Sequence, residues 1–159
     1  MSSQQIISHS VTQPDSKHTF FPLSRADMLL AWPAISEFLR GRRGSFMDKW
    51  DESSFINELH ANHDMHLWVG HNGSSIEGVM LVQFARTPKE TNLWIVGVYC
   101  DRVKNYLHLI RNLEQWALLL GADSVLFEGS HAWYRILRRH GYSTPTAMLR
   151  KNLKNLWSN

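Results

Sequence analysis

Hydrophobic positions along the chain follow two periods, and the points where one gives way to the other mark out the elements. Ser24 followed by Asp27 resembles a capping box and predicts a helix start, with Met28, Leu29 and Trp32 on its apolar face. Pro33 kinks this helix or opens a second one, and Gly41 and Gly44 end it, so a broken first helix is expected. A second helix runs from Glu52 to about Asn62 behind the cap Asp51, carrying Phe55, Ile56 and Leu59 on one side.

The period then shortens to that of strands. HLWVG, the Asn72-Gly73 turn, IEGVMLVQFAR, a loop from Thr87 to Asn92 containing Pro88, and LWIVGVYC read as a three-strand antiparallel meander. Helical spacing returns in VKNYLHLIRNLEQWALLLG, which puts Val103, Tyr106, Leu107, Ile110, Leu113, Ala117 and Leu120 on one face and stops at Gly121. SVLFEG reads as a buried strand, HAWYRILRRHG as a helix closed by Gly141, and TAMLRKNL as a terminal edge strand. The predicted order is α, α, β, β, β, α, β, α, β. Residues 1–19, rich in Ser, Gln, Thr and His without apolar periodicity, read as a flexible tail before a single domain over 20–153, and 154–159 as a C-terminal extension.

Composition narrows the class. A chain of 159 residues with 43% hydrophobic and 19% charged positions suits one globular core, and no apolar run approaches the roughly 18 residues of a membrane span. The first twenty residues lack a secretory pattern and the single cysteine, Cys100, forms no internal disulfide, so a cytoplasmic protein is expected. A net charge of +3 is too mild to name a partner, and seven tryptophans point to an aromatic core.

The element order and the run ADSVLFEGSHAWYRILRRHGYSTPTAMLRKNL resemble the GNAT superfamily of acyl-CoA-dependent N-acetyltransferases, and look closest to small GNAT-like proteins of bacteriophages. The resemblance, centred on RRHGY, covers about residues 22–153. It implies an α+β fold of the α/β sandwich type, with a mixed, mostly antiparallel sheet flanked by helices. It also implies a glycine-rich turn after the fourth strand, whose backbone amides approach the CoA diphosphate at a helix start.

Here that turn is Cys100-Asp101-Arg102-Val103-Lys104-Asn105-Tyr106-Leu107, without glycine and with Asp101 adding a like charge. Arg102, Val103 and Lys104 are the residues left to bind CoA, the two cations as side-chain phosphate ligands. The family's general-acid tyrosine, four residues before the glycine, falls on Leu137, with Trp133 and Ser130 at the other motif positions. Tyr134, one turn earlier, is the replacement candidate, against a purely packed role under the strands. Glu128, at the carboxyl end of the strand SVLFEG, is the candidate base if burial raises its pKa, against pairing with Arg135 or Arg138.

Two further clusters carry chemistry. His60, His63 and His66 lie at three-residue steps, but the segment crosses from helix to strand, which splays them, and no metal is assigned. Arg40, Arg42 and Arg43 with Gly41 and Gly44 form a basic loop suited to nucleic acid or an acidic protein surface. Taken together, the sequence favours an interaction or assembly protein on a GNAT scaffold with a degenerate acyl-CoA site and no cofactor. Its expected partners are itself or phage-particle components, docked through the segment from Leu153 to Trp157, in the host cytoplasm or on a virion. The alternative is an acetyl-CoA-dependent N-acetyltransferase acting on an amine of a protein or small molecule.

Overall fold

The computed structural model describes residues 17–40, 42, 51–129, 131–144 and 151. In chain order the elements are β1 (Thr19–Pro22), α1 (Arg25–Leu39), α2 (Glu52–Ala61), β2 (Met65–His71), β3 (Ile76–Arg86), β4 (Thr91–Cys100), two 3₁₀ turns (Val103–Asn105 and Leu107–Leu109), α3 (Ile110–Leu119), β5 (Ser124–Phe127) and α4 (His131–Arg138). The five strands form one sheet in the order β1-β2-β3-β4-β5, antiparallel except for the parallel pair β4–β5. This is the mixed, mostly antiparallel α+β architecture that the resemblance implied.

Alternation along β2 and β3 divides the core into two layers. Leu67, Val69, Val79 and Leu81 face α1 and α2, joining Ile35, Phe38 and Phe55. Trp68, Met80, Val82 and Phe84 face the other way, with Leu93 and Ile95 of β4 and with Ile110, Leu113 and Ala117 of α3. Burial of each large side chain contributes about 1.5–3 kcal/mol, so the sheet is held from both faces.

The helix starts follow the sequence closely. The Ser24 hydroxyl accepts from the Asp27 amide at 3.1 Å, and the Asp51 carboxylate from the Ser54 amide at 3.2 Å. Pro33 lies inside a continuous α1, where a broken helix was expected. The Trp32 indole N–H reaches Glu52 Oε1 at 2.7 Å, tying α1 to the first turn of α2. Gly121 and Gly141, at φ +91° and +90°, close α3 and α4 in the left-handed conformation that glycine adopts without strain. In each, the next residue's amide reaches back five positions, Ala122 to Ala117 O at 2.9 Å and Tyr142 to Leu137 O at 3.2 Å.

Three expectations are corrected here. β1, a strand that was not expected, takes in the last residue of the segment read as tail and pairs with β2 from Thr19↔His71 to Pro22↔Trp68. The helix expected from Val103 starts only at Ile110, after two 3₁₀ turns, and Leu120 is exposed. β5 is only partly buried, from an exposed Ser124 to a half-buried Phe127. The terminal strand TAMLRKNL, apart from Lys151, and the segment from Leu153 to Trp157 lie outside the described residues, as do Gly41, Arg43 and Gly44. The chain divides into two compact units, Met1–Glu128 and Gly129–Asn159.

Candidate functional site

The sheet opens at the carboxyl end of its parallel pair. β4 pairs with β5 only from Asn92↔Ser124 to Ile95↔Phe127, yet remains paired with β3 as far as Cys100. The change falls at a bulge: Val82 opposes Ile95 and Leu81 opposes Gly97, which leaves Val96 unmatched and exposed. The extra residue shifts the alternation, so that Val98 packs on the same face as Leu93 and Ile95 while Tyr99 turns to the other. Beyond it, the β5-facing edge of residues 96–100 has no strand partner among the described residues, and none of these residues is buried. An edge of this kind presents alternate backbone N–H and C=O groups that an extended ligand carrying amides can meet.

Glu128 follows the last β4–β5 pair and so sits where the two strands part. It is exposed, so the burial on which its role as a base was argued is absent.

β4 runs into the turn where the resemblance implied a glycine loop. Arg102 takes φ +54°, the only non-glycine residue with positive φ among the described residues, a conformation costing about 1–2 kcal/mol outside glycine. Its side chain and that of Lys104 are exposed, and Val103 is half-buried. Asp101 does not present a bare negative charge: Arg42 donates to its Oδ2 at 2.7 Å, and the Arg42 guanidinium lies 3.9 Å over the Phe38 ring. Of the basic loop, Arg42 is engaged within the molecule and the exposed Arg40 pairs with Glu37 at 2.5 Å, while Arg43 lies outside the described residues.

Tyr106, between the two 3₁₀ turns, is buried against the sheet, and its hydroxyl donates to Glu77 Oε1 at 2.8 Å. Room for the ring comes from Gly70, where a Cβ would stand 3.0 Å from Tyr106 Cε1. Gly70, Gly78 and Cys100 are consecutive partners across β2, β3 and β4. The His18 ring meets Tyr106 edge-on at 5.4 Å, with its Nε2 3.8 Å from Glu77 Oε1. Burial and the bond to Glu77 raise the Tyr106 phenol pKa, and burial pushes the Cys100 thiol up to about 12. Sequence reading missed this cluster, although two glycines inside strands signal a close approach.

In the second unit Tyr134 is 44% exposed rather than packed under strands. Its hydroxyl lies 3.1 Å from Thr144 Oγ1 and accepts from Arg138 at 3.4 Å; these two neighbours, Thr144 first, lower its pKa. Leu137, at the family's tyrosine position, is buried.

The three histidines are not brought together. His60 is exposed on α2, His63 lies in the following turn, and His66 stands edge-on to Trp116 at 5.0 Å and Phe84 at 5.9 Å. Among the described residues no cluster of His, Cys, Asp or Glu could hold a metal ion.

The fold is shared with solved acetyltransferases. The chain is similar in structure to an aminoglycoside acetyltransferase from an uncultured soil metagenomic sample, solved with sisomicin, at TM-score 0.65 and 14% identity over 89% of this chain and 99% of that one. A predicted acetyltransferase from Clostridium acetobutylicum, solved with acetyl-CoA, gives TM-score 0.63 and 14% identity over 87% and 97%. Glucosamine-6-phosphate N-acetyltransferase from Arabidopsis thaliana gives TM-score 0.57 and 15% identity over 86% and 98%. No protein-family profile matches the sequence, and no curated protein does.

Proposed function

We propose that the protein is an acetyl-CoA-dependent N-acetyltransferase that acts on an amine. The observation that carries this reading is the parting of β4 from β5 at Ile95↔Phe127, which leaves the edge of residues 96–100 without a strand partner among the described residues, beside Glu128. Bound acetyl-CoA supplies an activated acetyl thioester. The backbone groups of residues 96–100 on that edge pair with the amides of its pantetheine arm, while Arg102, Val103 and Lys104 meet its diphosphate. Glu128, an exposed carboxylate at the point of divergence, attracts the ammonium form of the substrate, whose proton passes to solvent before the amine attacks. The amine nitrogen gains the acetyl carbon and the thioester C–S bond breaks. The sulfur leaves as the CoA thiolate.

One feature behind the assembly reading weighs less in the folded chain: the charge of Asp101 is covered by Arg42. Amino sugars are the first substrates to try, because aminoglycosides and glucosamine-6-phosphate name the enzymes of similar structure.

The test is calorimetric titration with acetyl-CoA, followed by thiol release in the presence of aminoglycosides, amino sugars and peptide amines. Saturable binding with amine-dependent thiol release supports the proposal. Binding weaker than about 1 mM, equivalent to roughly −4 kcal/mol, would return the chain to the class of cofactor-free scaffolds.

A further inference from the structure

β3 carries one residue more than β2 at its start. Gly70 opposes Gly78 and His71 opposes Ile76, so Glu77 has no opposite number. A bulge of this kind re-aims a side chain, and here Ile76 packs with the α1 and α2 layer while the Glu77 carboxylate receives Tyr106. Glu77 is 8% exposed, the only charged residue in the buried set of the described residues.

Three parts of the turn after β4 converge on this one residue. Its carbonyl oxygen accepts from the Asp101 amide at 2.7 Å, its Oε1 from the Tyr106 hydroxyl at 2.8 Å, and its Oε2 stands 3.8 Å from Arg102 Nε. A leucine at 77 and a phenylalanine at 106 would anchor the turn without the desolvation that a buried carboxylate and phenol incur. The polar pair does what an apolar pair cannot: it sets a negative charge under Arg102, the residue held in the left-handed conformation.

Charge around the turn balances in favour of an anion. Asp101 is paired with Arg42 and Glu77 faces Arg102, while Lys104 is exposed with no acidic partner among the described residues. We propose that Glu77 and Tyr106 are positioning residues that hold Arg102, so that the turn binds the cofactor's diphosphate through the Arg102 and Lys104 side chains in place of glycine-loop amides. The inference rests on the acetyl-CoA reading above.

Calorimetry on the full chain with two probes, CoA and pantetheine, tests it, because pantetheine lacks the diphosphate. Tyr106→Phe is expected to weaken CoA binding about tenfold, as loss of a hydrogen bond to a charged group does, and to leave pantetheine unchanged. Arg102→Gln should do the same, and Tyr106→Phe added to Arg102→Gln should cost nothing further, since Tyr106 acts through Arg102. Glu77→Gln keeps the shape and an acceptor for Tyr106 but removes the charge under Arg102; it should reproduce the selective loss, and it replaces Tyr106→Phe if circular dichroism finds that variant unfolded. Equal weakening of both probes marks a merely structural role and overturns the inference, as does wild-type affinity for CoA in Tyr106→Phe. Wild-type protein that binds neither probe overturns the acetyl-CoA reading itself, a result distinct from either.

Discussion

The Arg42 guanidinium donates to Asp101 Oδ2 at 2.7 Å, joining the end of α1 to the turn after β4 across 59 residues of sequence. Arg42 also donates to the Phe38 carbonyl and lies over the Phe38 ring, with Tyr99 at 5.6 Å. The pair is half-exposed, so its ionic part contributes at most about 1 kcal/mol, and the ring contact adds about 0.5–1. Arg42→Ala should therefore lower unfolding free energy by about 1–2 kcal/mol in urea melts. Asp101→Asn should cost less, because the ring and carbonyl contacts of Arg42 remain. A larger loss in Asp101→Asn than in Arg42→Ala would contradict this division.

Alkaline pH should destabilise the fold through Cys100. Burial first, then the charges of Asp101 and Glu77, raise its thiol from an ordinary 9.0 to about 12 in the native state. The unfolded chain gives up that proton earlier, so the stabilisation is complete below pH 9 and is lost as pH rises toward 12. Cys100→Ser should flatten this slope in thermal melts. Alkylation by iodoacetamide at pH 8.5 should be slow in native protein and fast in urea.

Acid should act through His66. Desolvation, followed by the charge of Arg25, lowers its pKa below the usual 6.5, so the native state favours the neutral ring. Stability from this group is present above pH 6.5 and falls as pH drops through the lower native value. His66→Phe keeps an aromatic ring against Trp116 and Phe84 and should remove that part of the acid slope. Chelator should leave the melting temperature unchanged at any pH, and a fall restored by zinc would contradict the aromatic placement.

Gly70→Ala should displace Tyr106, because the new Cβ would stand 3.0 Å from Cε1 and 3.2 Å from Cδ1 of a ring already bonded to Glu77. Overpacking of this kind costs about 1–3 kcal/mol. Hydrogen exchange of residues 101–109 should quicken in the variant while the β2–β3 ladder stays protected. Unchanged exchange in that turn would mean that Gly70 is not what seats Tyr106.

What was legible in the sequence is what neighbours along the chain decide. Ser24 and Asp51 cap helices because their side chains reach amides three residues on, and Gly121 and Gly141 end helices because positive φ is a local demand. The alternation of β2 and β3 gave the meander, and the same alternation already put His66 on the face of Trp68 and Phe84, away from His60. β1 was missed because four residues, TFFP, carry too little pattern, and their strand exists through pairing with β2 almost fifty residues later. The turn after β4 was read as helix because Val103, Tyr106 and Leu107 sit at helical spacing. Tertiary structure overrode that spacing by placing Glu77 on a bulge and clearing Gly70 for the Tyr106 ring. The open edge of β4 beside Glu128 is likewise a matter of register, set by where Val96 is left unmatched. A single strand cannot reveal which residue its neighbour skips, because register is fixed only when two faces bury their side chains together.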